Sequence, residues 1–366
     1  MQNLSDITVV LPSLDPDDKL NAVIDGLLQY GFEDIILVND GSKPENLHYF
    51  EDAERLHPEI HVLTHEVNKG KGAALKNAFR WFLNNRPGSR GVVTVDGDNQ
   101  HHPEDTRACC ERMLKTGHVI LGCRDFTQKD VPARSSFGNK TTSAIFKIFC
   151  GITLSDTQTG LRAIPTEFLE TFCNVKGDRF EYETNMLLSM KDHGIPFEEQ
   201  KIRTVYIEEN KSSHFRVFRD SWRIYKLILN HFFRYIASSL TSAVVDVAAF
   251  AILSHLTGSL LSGFALTALP AVGARILSSL LNFFMNQNLV FQTDVHTGKA
   301  MLRYYMLAVP MMIAQVLLTH GVFALLRIPA AAEVLRSVIY TLVMIVLFII
   351  SYVFQQRWVF APKEKK

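Results

Sequence analysis

Beyond Lys226 the chain carries four apolar stretches, roughly Tyr235 to Leu256, Phe264 to Met285, Tyr304 to Leu326 and Val338 to Gln355. Each is near the 20 or so residues that a helix needs to cross hydrocarbon. Backbone in lipid has to satisfy its own hydrogen bonds, so this half predicts an all-α, four-span transmembrane domain. Up to Lys226 the sequence is a charged, mixed globular text, and 366 residues are ample for two domains. The expected division is a soluble domain over 1–214, an interfacial amphipathic linker over 215–233, a transmembrane domain over 234–362 and a basic tail over 363–366. In the linker Phe218, Trp222, Ile224, Leu227, Leu229 and Phe232 are mixed with Arg216, Arg219, Arg223 and Lys226. That mixture suits a helix lying in the headgroup region, with a soluble amphipathic linker as the alternative.

The membrane half repeats itself. Phe233-Arg234-Tyr235 recurs as Leu302-Arg303-Tyr304, and Asn282-Phe283 through Val290-Phe291 recurs as Ser351-Tyr352 through Val359-Phe360, both at an offset of 69. Two tandem two-span units account for this. Basic residues at Arg234, Lys299, Arg303, Lys363, Lys365 and Lys366, with none in the loop after Leu256, predict a multi-pass protein of the cell membrane with both termini and the soluble domain cytoplasmic. Met1 to Asp6 has no signal-peptide pattern, and the five cysteines lack Cys-x-x-Cys spacing and read as reduced thiols, in keeping with that side. A net charge of +1 argues against nucleic acid as the main partner. Asp246 and Arg275 stand mid-span, where charge is expensive, and are expected to pair as a structural clamp.

In the soluble half, short β-rich runs at Ile7 to Leu11, Asp34 to Val38, His61 to Thr64, Gly91 to Val95 and Val119 to Gly122 alternate with helical patterns, the clearest from Gly72 to Asn85. This alternation predicts an α/β domain with a mainly parallel sheet covered on both faces. Ligands of such sheets bind beyond the carboxyl ends of the strands, which selects four loops. Pro12-Ser13-Leu14-Asp15-Pro16 is the first. In Asn39-Asp40-Gly41-Ser42, Asp40 can accept from a base or ribose, or equally cap a turn. Asn68-Lys69-Gly70-Lys71-Gly72 opens a helix and suits a diphosphate, although it lacks Walker spacing. The fourth loop follows the strand Val92 to Val95 with Asp96-Gly97-Asp98-Asn99-Gln100. Two carboxylates one residue apart can converge on a hard divalent cation, with Gln100 as a further oxygen ligand. Such a cation would neutralise a departing diphosphate; the other reading is a solvated acidic turn before Pro103.

These motifs, in this order, resemble glycosyltransferase family 2 with its GT-A fold, in particular the dolichyl- or polyprenyl-phosphate sugar synthases. The resemblance covers about Ile7 to Lys226 and includes His102-Pro103-Glu104, Gly122-Cys123-Arg124, Arg134 to Lys140 and Ser155-Asp156-Thr157-Gln158-Thr159-Gly160-Leu161-Arg162. It implies that Asp96 and Asp98, with Gln100, hold Mg²⁺ or Mn²⁺. It further implies a donor site of Pro12, Asp15, Asp40, Lys71, Asp96, Gly97 and Asp98, with Asp40 on the nucleoside. The first loop departs from the family's Pro-Thr-Tyr-Asn-Glu-like form, which leaves the donor open between UDP- and GDP-linked sugars.

A phosphate acceptor is already anionic near neutral pH and needs placement more than a strong base. Arg124 and Arg134 can hold it as bidentate phosphate ligands, Asp156 can orient sugar or acceptor unless it merely caps a turn, and Glu181 and Glu183 can line the sugar or simply start a helix. Ser212 and His214, in Ser212-Ser213-His214-Phe215, either close over the diphosphate or belong to a linker. The membrane half is similar to the GtrA-like four-helix domain. The activity implied is metal-dependent, inverting transfer of a sugar from a nucleotide sugar to a polyprenyl phosphate, undecaprenyl or dolichyl, for cell-envelope glycan assembly, with Asp98, Arg124, Arg134 and Asp156 as the catalytic set. The partners are then the nucleotide sugar, the lipid phosphate and the bilayer, with room for a homo-oligomer. The alternatives are a lipid-sugar flippase or scaffold whose soluble domain only binds, and a processive polysaccharide synthase. The latter is disfavoured because Gln355-Gln356-Arg357-Trp358 is one residue short of the Gln-x-x-Arg-Trp signature and lies inside the repeat.

Overall fold

The computed structural model describes residues 4–126, 128, 131, 133–204, 225–226, 228–257, 259, 264–293, 295–329 and 332–361. It divides the chain into two units, Met1–Leu227 and Ile228–Lys366. Most of the expected linker lies outside the described residues.

The first unit is built on a seven-stranded sheet in the order β3-β2-β1-β4-β6-β5-β7. The strands are β1 (Ile7–Ser13), β2 (Ile35–Asn39), β3 (Ile60–Thr64), β4 (Gly91–Thr94), β5 (Val119–Arg124), β6 (Arg162–Pro165) and β7 (Phe197–Ile202). Only β6 runs against the rest: it pairs antiparallel with β4 and β5, while β1–β2, β2–β3, β1–β4 and β5–β7 are parallel. This is a mixed, mainly parallel GT-A sheet. The five strands marked by β-branched runs are present, and β6 and β7 are additions.

Alternation along β1 sends Ile7, Val9 and Leu11 to one face, where they pack with Leu20, Val23, Ile24 and Leu27 of α1 (Lys19–Gln29), Phe50 and Ala53 of α2 (His48–Leu56), and Cys109, Cys110 and Met113 of α4 (Pro103–Thr116). The other face carries α3 (Lys71–Asn85), which contacts β1, β2, α6 (Thr166–Cys173) and α7 (Glu181–Asp192). On α3, Ala74, Leu75, Ala78, Phe79 and Phe82 recur at helical spacing and are all buried. α4 begins where Pro103 takes the first helical position and the His102 ring accepts from Glu104 N–H, and it ends at Gly117 in the left-handed region. Its start fixes the far end of the loop that carries Asp96 and Asp98. α5 (Ala133–Ile145) follows β5.

The second unit contains four helices long and apolar enough to cross a membrane: α8 (Asn230–Thr257), α9 (Ala265–Met285), α10 (Thr297–Leu325) and α11 (Glu333–Phe354). α9 and α11 both finish in a single π-helical turn, Asn286–Val290 and Gln355–Val359. The repeat is therefore visible in backbone as well as in sequence, and its equivalent positions meet. Asn286 Nδ2 donates to Gln355 Oε1 at 3.0 Å, across the offset of 69. Phe291 and Phe360 stack with ring centroids 5.0 Å apart. Tyr235 OH donates to Ser351 Oγ at 3.3 Å, and the counterpart Tyr304 OH donates to Asn282 Oδ1 at 3.0 Å. Inside each repeat an arginine holds the π turn: Arg234 donates to Leu289 O and Arg303 to Trp358 O. Reciprocal exchange of this kind is what a two-fold relation between parallel repeats produces. The mid-span charges pair as expected, with Arg275 Nη2 3.2 Å from Asp246 Oδ2 and Ser278 Oγ donating to Asp246 Oδ1 at 2.7 Å.

Candidate active site

β4 ends at Thr94, and Val95 N–H still donates to Val10 O, so the backbone is held until it delivers Asp96. Beyond it the loop closes on itself. Asp96 N–H donates to His101 Nδ1 at 3.3 Å, Gln100 N–H to Asp98 Oδ1 at 3.1 Å, and Asn99 sits at φ 60° to make the turn. Gly160, just before β6, lies against Asp96 so closely that a Cβ there would overlap the carboxylate. Thr94 Oγ1 ties that glycine's carbonyl at 2.6 Å.

Two ionic groups meet at this loop. Lys71, the first residue of α3, places Nζ 2.7 Å from Asp96 Oδ1 and 2.9 Å from Glu183 Oε1 of α7. Burial opposes the Lys71 charge, but Asp96 and Glu183 outweigh it and push its pKa up. Burial likewise opposes the Asp96 carboxylate, but Lys71 and then His101 hold its pKa down at about 2. Asp98 behaves oppositely: burial, and then the charge of Asp96, push its pKa up. Asp156 is fully buried and grips Arg124 at the end of β5, accepting from Nε at 2.7 Å and from Nη2 at 3.2 Å. Asp156 also accepts from Gln158 N–H at 3.0 Å, so it positions the guanidinium and is not itself exposed. Thr94 at the end of β4 faces Arg162 of β6, which in turn faces Leu121 of β5, three residues before Arg124, so the two ionic groups stand at one edge of the sheet.

Other residues singled out from the sequence are placed differently. Asp40 is 4% exposed and braces the third loop from inside: Oδ1 takes Lys69 N–H at 3.0 Å and the His65 ring at 2.8 Å, and Oδ2 takes Gly70 N–H at 2.8 Å. Asp15 turns at φ 48° and accepts from Lys43 N–H at 2.8 Å, joining the first two loops. Pro12 lies within β1 and Gly97 in the turn between the two aspartates. Glu181 reaches back to accept from Asp178 and Arg179 N–H, a helix-start role. Arg134 falls in the first turn of α5 with its side chain outside the described set, and Ser212 and His214 lie outside the described residues.

Two contributors are not selected by the sequence, and a third, Glu183, reads there as lining the sugar or starting a helix. His101 closes the aspartate loop by accepting the Asp96 N–H, and burial lowers its pKa. Glu183 shares Lys71. Arg162, opposite Thr94 in the β4–β6 register, is 1% exposed and donates to Glu183 O at 2.9 Å, and its Nη2 has no hydrogen-bond partner among the described residues. A buried arginine in a four-residue strand has no periodic pattern to betray it.

Residues 8–173 match the family model described as Glycosyl transferase family 2, and residues 234–360 match GtrA/DPMS, transmembrane domain. The chain joins a family 2 glycosyltransferase domain to a GtrA/DPMS transmembrane domain. As a glycosyltransferase with four membrane-spanning helices, it is a multi-pass membrane enzyme. It is 28% identical over 236 residues to an uncharacterized protein of Methanocaldococcus jannaschii, covering 63% of this chain and 94% of that one. It is 24% identical over 246 residues to the UDP-N-acetylglucosamine–dolichyl-phosphate N-acetylglucosaminyltransferase of Methanococcus voltae, covering 61% and 95%. Among solved structures, it is similar to glucosyl-3-phosphoglycerate synthase from Mycobacterium tuberculosis in complex with Mn²⁺, UDP and glucosyl-3-phosphoglycerate (17% identity, 61% and 78% covered, TM-score 0.47). A mannosyltransferase from Pyrobaculum calidifontis in complex with GDP-mannose and Mn²⁺ spans more of it (15% identity, 96% and 87% covered, TM-score 0.41).

The charged loop fits a hard divalent cation. Asp96 and Asp98 stand in one turn, where burial and then the charge of Asp96 raise the Asp98 pKa, and Gln100 belongs to the same turn. Among the described residues no three His, Cys, Asp or Glu side chains form a cage. Mg²⁺-type sites need none, since one or two carboxylates with substrate phosphates and water complete them.

Proposed function

We propose that this glycosyltransferase transfers a sugar from a UDP- or GDP-linked donor to a polyprenyl phosphate, with inversion, on the cytoplasmic side of the membrane. The observation that carries this reading is the ion pair of Lys71 with Asp96, two residues from Asp98, at the carboxyl end of β4, with the Asp156-held Arg124 at the carboxyl end of β5. Asp96 and Asp98, with Gln100, would hold Mg²⁺ or Mn²⁺, which when bound neutralises the charge that builds on the departing nucleoside diphosphate. Lys71 serves the same diphosphate, and Pro12, Asp15 and Gly97 shape the donor side. Asp40 acts through the Lys69–Gly70 turn that it braces. Arg124, aimed by Asp156, receives the acceptor phosphate, with Arg134 as its partner.

An acceptor phosphate oxygen attacks the anomeric carbon as the bond from that carbon to the donor diphosphate breaks, so one displacement inverts the centre. Asp156, buried and gripped by Arg124, is not placed to act as the nucleophile of a double displacement. The dolichyl-phosphate transferase named for the relative in Methanococcus voltae supports the acceptor class, as does the GtrA/DPMS domain. Arg234, Lys299 and Arg303 on one side of the spans support the cytoplasmic orientation.

The test supplies membranes containing the full chain with radiolabelled UDP-glucose, UDP-N-acetylglucosamine or GDP-mannose, undecaprenyl or dolichyl phosphate, and Mg²⁺ or Mn²⁺, beside Asp98→Ala. Labelled lipid from one donor that disappears in the variant is expected. No labelled lipid from any donor would sink the acceptor assignment, and label that survives Asp98→Ala would sink the metal role.

A further inference from the structure

Hydrogen bonds pin the backbone on both sides of Lys71. Gly70 stands at φ 104° with its N–H on Asp40, Lys69 N–H is on Asp40 too, and Ala73 N–H is fixed to Asp178 O at 2.9 Å. Only the Lys71 side chain can travel, and its ammonium already sits on Asp96 Oδ1 at 2.7 Å, with Glu183 at 2.9 Å as a second anchor. Asp98, by contrast, has no ion pair among the described residues.

We infer that Lys71 is a displaceable counter-ion for Asp96: its ammonium occupies the carboxylate until a divalent cation takes it over, and Glu183 retains the lysine as it swings aside. This rests on reading Asp96 and Asp98 as metal ligands. A cation arriving alone has to displace Lys71 with only Glu183 left to receive it. When a nucleoside diphosphate arrives with the cation, the lysine gains a new anionic partner, so the side chain couples the two uptakes. Glu183 is then a positioning residue, acting through Lys71. The arrangement keeps Asp96 occupied and closed to stray cations until a donor is present.

The decisive variant is Lys71→Met/Glu183→Gln, which removes one positive and one negative charge and so leaves the net charge unchanged. Mn²⁺ binding to the full chain in detergent is measured from the electron paramagnetic resonance signal of free Mn²⁺, with no nucleotide and with UDP or GDP, after a thermal melt confirms folding. The double variant is expected to bind Mn²⁺ alone at least tenfold more tightly than wild type. Lys71→Arg, which keeps a cation in place, is expected to stay near wild type. Mn²⁺ bound no more tightly by the double variant, or a comparable gain in Lys71→Arg, overturns the counter-ion role while leaving the metal site intact. A wild-type chain that takes up no Mn²⁺ even with UDP or GDP overturns the metal reading and this inference together.

Discussion

At the end of β4 the soluble domain gathers Lys71, Asp96, Glu183, Arg124 and Asp156, all ionic. Where the two membrane repeats meet, the buried groups are Asn286, Gln355, Ser238 and Tyr235, all neutral. Both sets are satisfied inside the protein, yet they suit different tasks. Ions lose much solvation on burial and regain it only from another charge, so a site made of them can pass from one charged partner to the next as substrate enters. Amides and hydroxyls lose less and bind their neighbours without competition from water, so a network of them fixes helices in place. The soluble site is built for exchange and the membrane junction for permanence.

The contrast breaks most visibly at Asp98. Asp98→Ala is expected to lower transfer at least about 100-fold, while thermal unfolding of the membrane half stays unchanged. A comparable loss from Asn286→Leu would mean that the membrane network takes part in exchange after all. Arg124→Ala is next: it leaves the fully buried Asp156 without its cation, and a loss of about 3 kcal/mol in the stability of the soluble half is expected in urea titration. Arg124→Lys should retain most of that stability but raise the KM for lipid phosphate about tenfold, since an ammonium cannot hold a phosphate bidentately.

Smaller again is the amide junction. Asn286→Leu removes the donor to Gln355 and the acceptor for Ser238, and should cost about 1–2 kcal/mol. Adding Gln355→Leu should cost less than it does alone, giving a coupling of about 0.6–1.7 kcal/mol in a double-mutant cycle. The smallest signal sharpens the comparison by reporting on one half alone, because all five cysteines lie in the soluble unit and all are buried. Burial pushes Cys109 and Cys150 up to about 12 and Cys173 to about 11, and pushes Cys110 and Cys123 up too. The thiol is the form favoured below a raised pKa, so at pH 8 almost no thiolate exists and labelling by iodoacetamide should be negligible until the soluble half unfolds. Fast labelling of the native chain would mean that this half opens far more readily than its core implies.

The parts legible in the sequence were those with local patterns. Val92 to Val95 announced a buried strand through β-branching, and the four spans announced themselves through length. β6 was hidden because Arg162-Ala-Ile-Pro holds a buried cation and a proline, and β7 because Phe-Glu-Glu-Gln-Lys-Ile is mostly polar, as suits an edge. At the site, Asp96 and Asp98 declared themselves by spacing. The bond between Lys71 and Asp96 joins two loops separated by a helix and a strand, and no local pattern encodes it. Asp40 read as a ligand-facing acid because its position at a strand end was visible, whereas its inward partners His65, Lys69 and Gly70 were not.

Asn286 and Gln355 occupy equivalent places in the two repeats and touch each other. In a dimer of identical two-span chains, every change at that place would be made twice, and an amide would always face its own kind. Carried on one chain, each place can diverge alone, and the longer glutamine reaches on to the Tyr235 hydroxyl at 3.0 Å. The same freedom accounts for Asp246 and Arg275, whose counterparts at the offset of 69 are Gln315 and Met344. The two repeats have thereby diverged, one bearing an ion pair across its spans and the other, among the described residues, none.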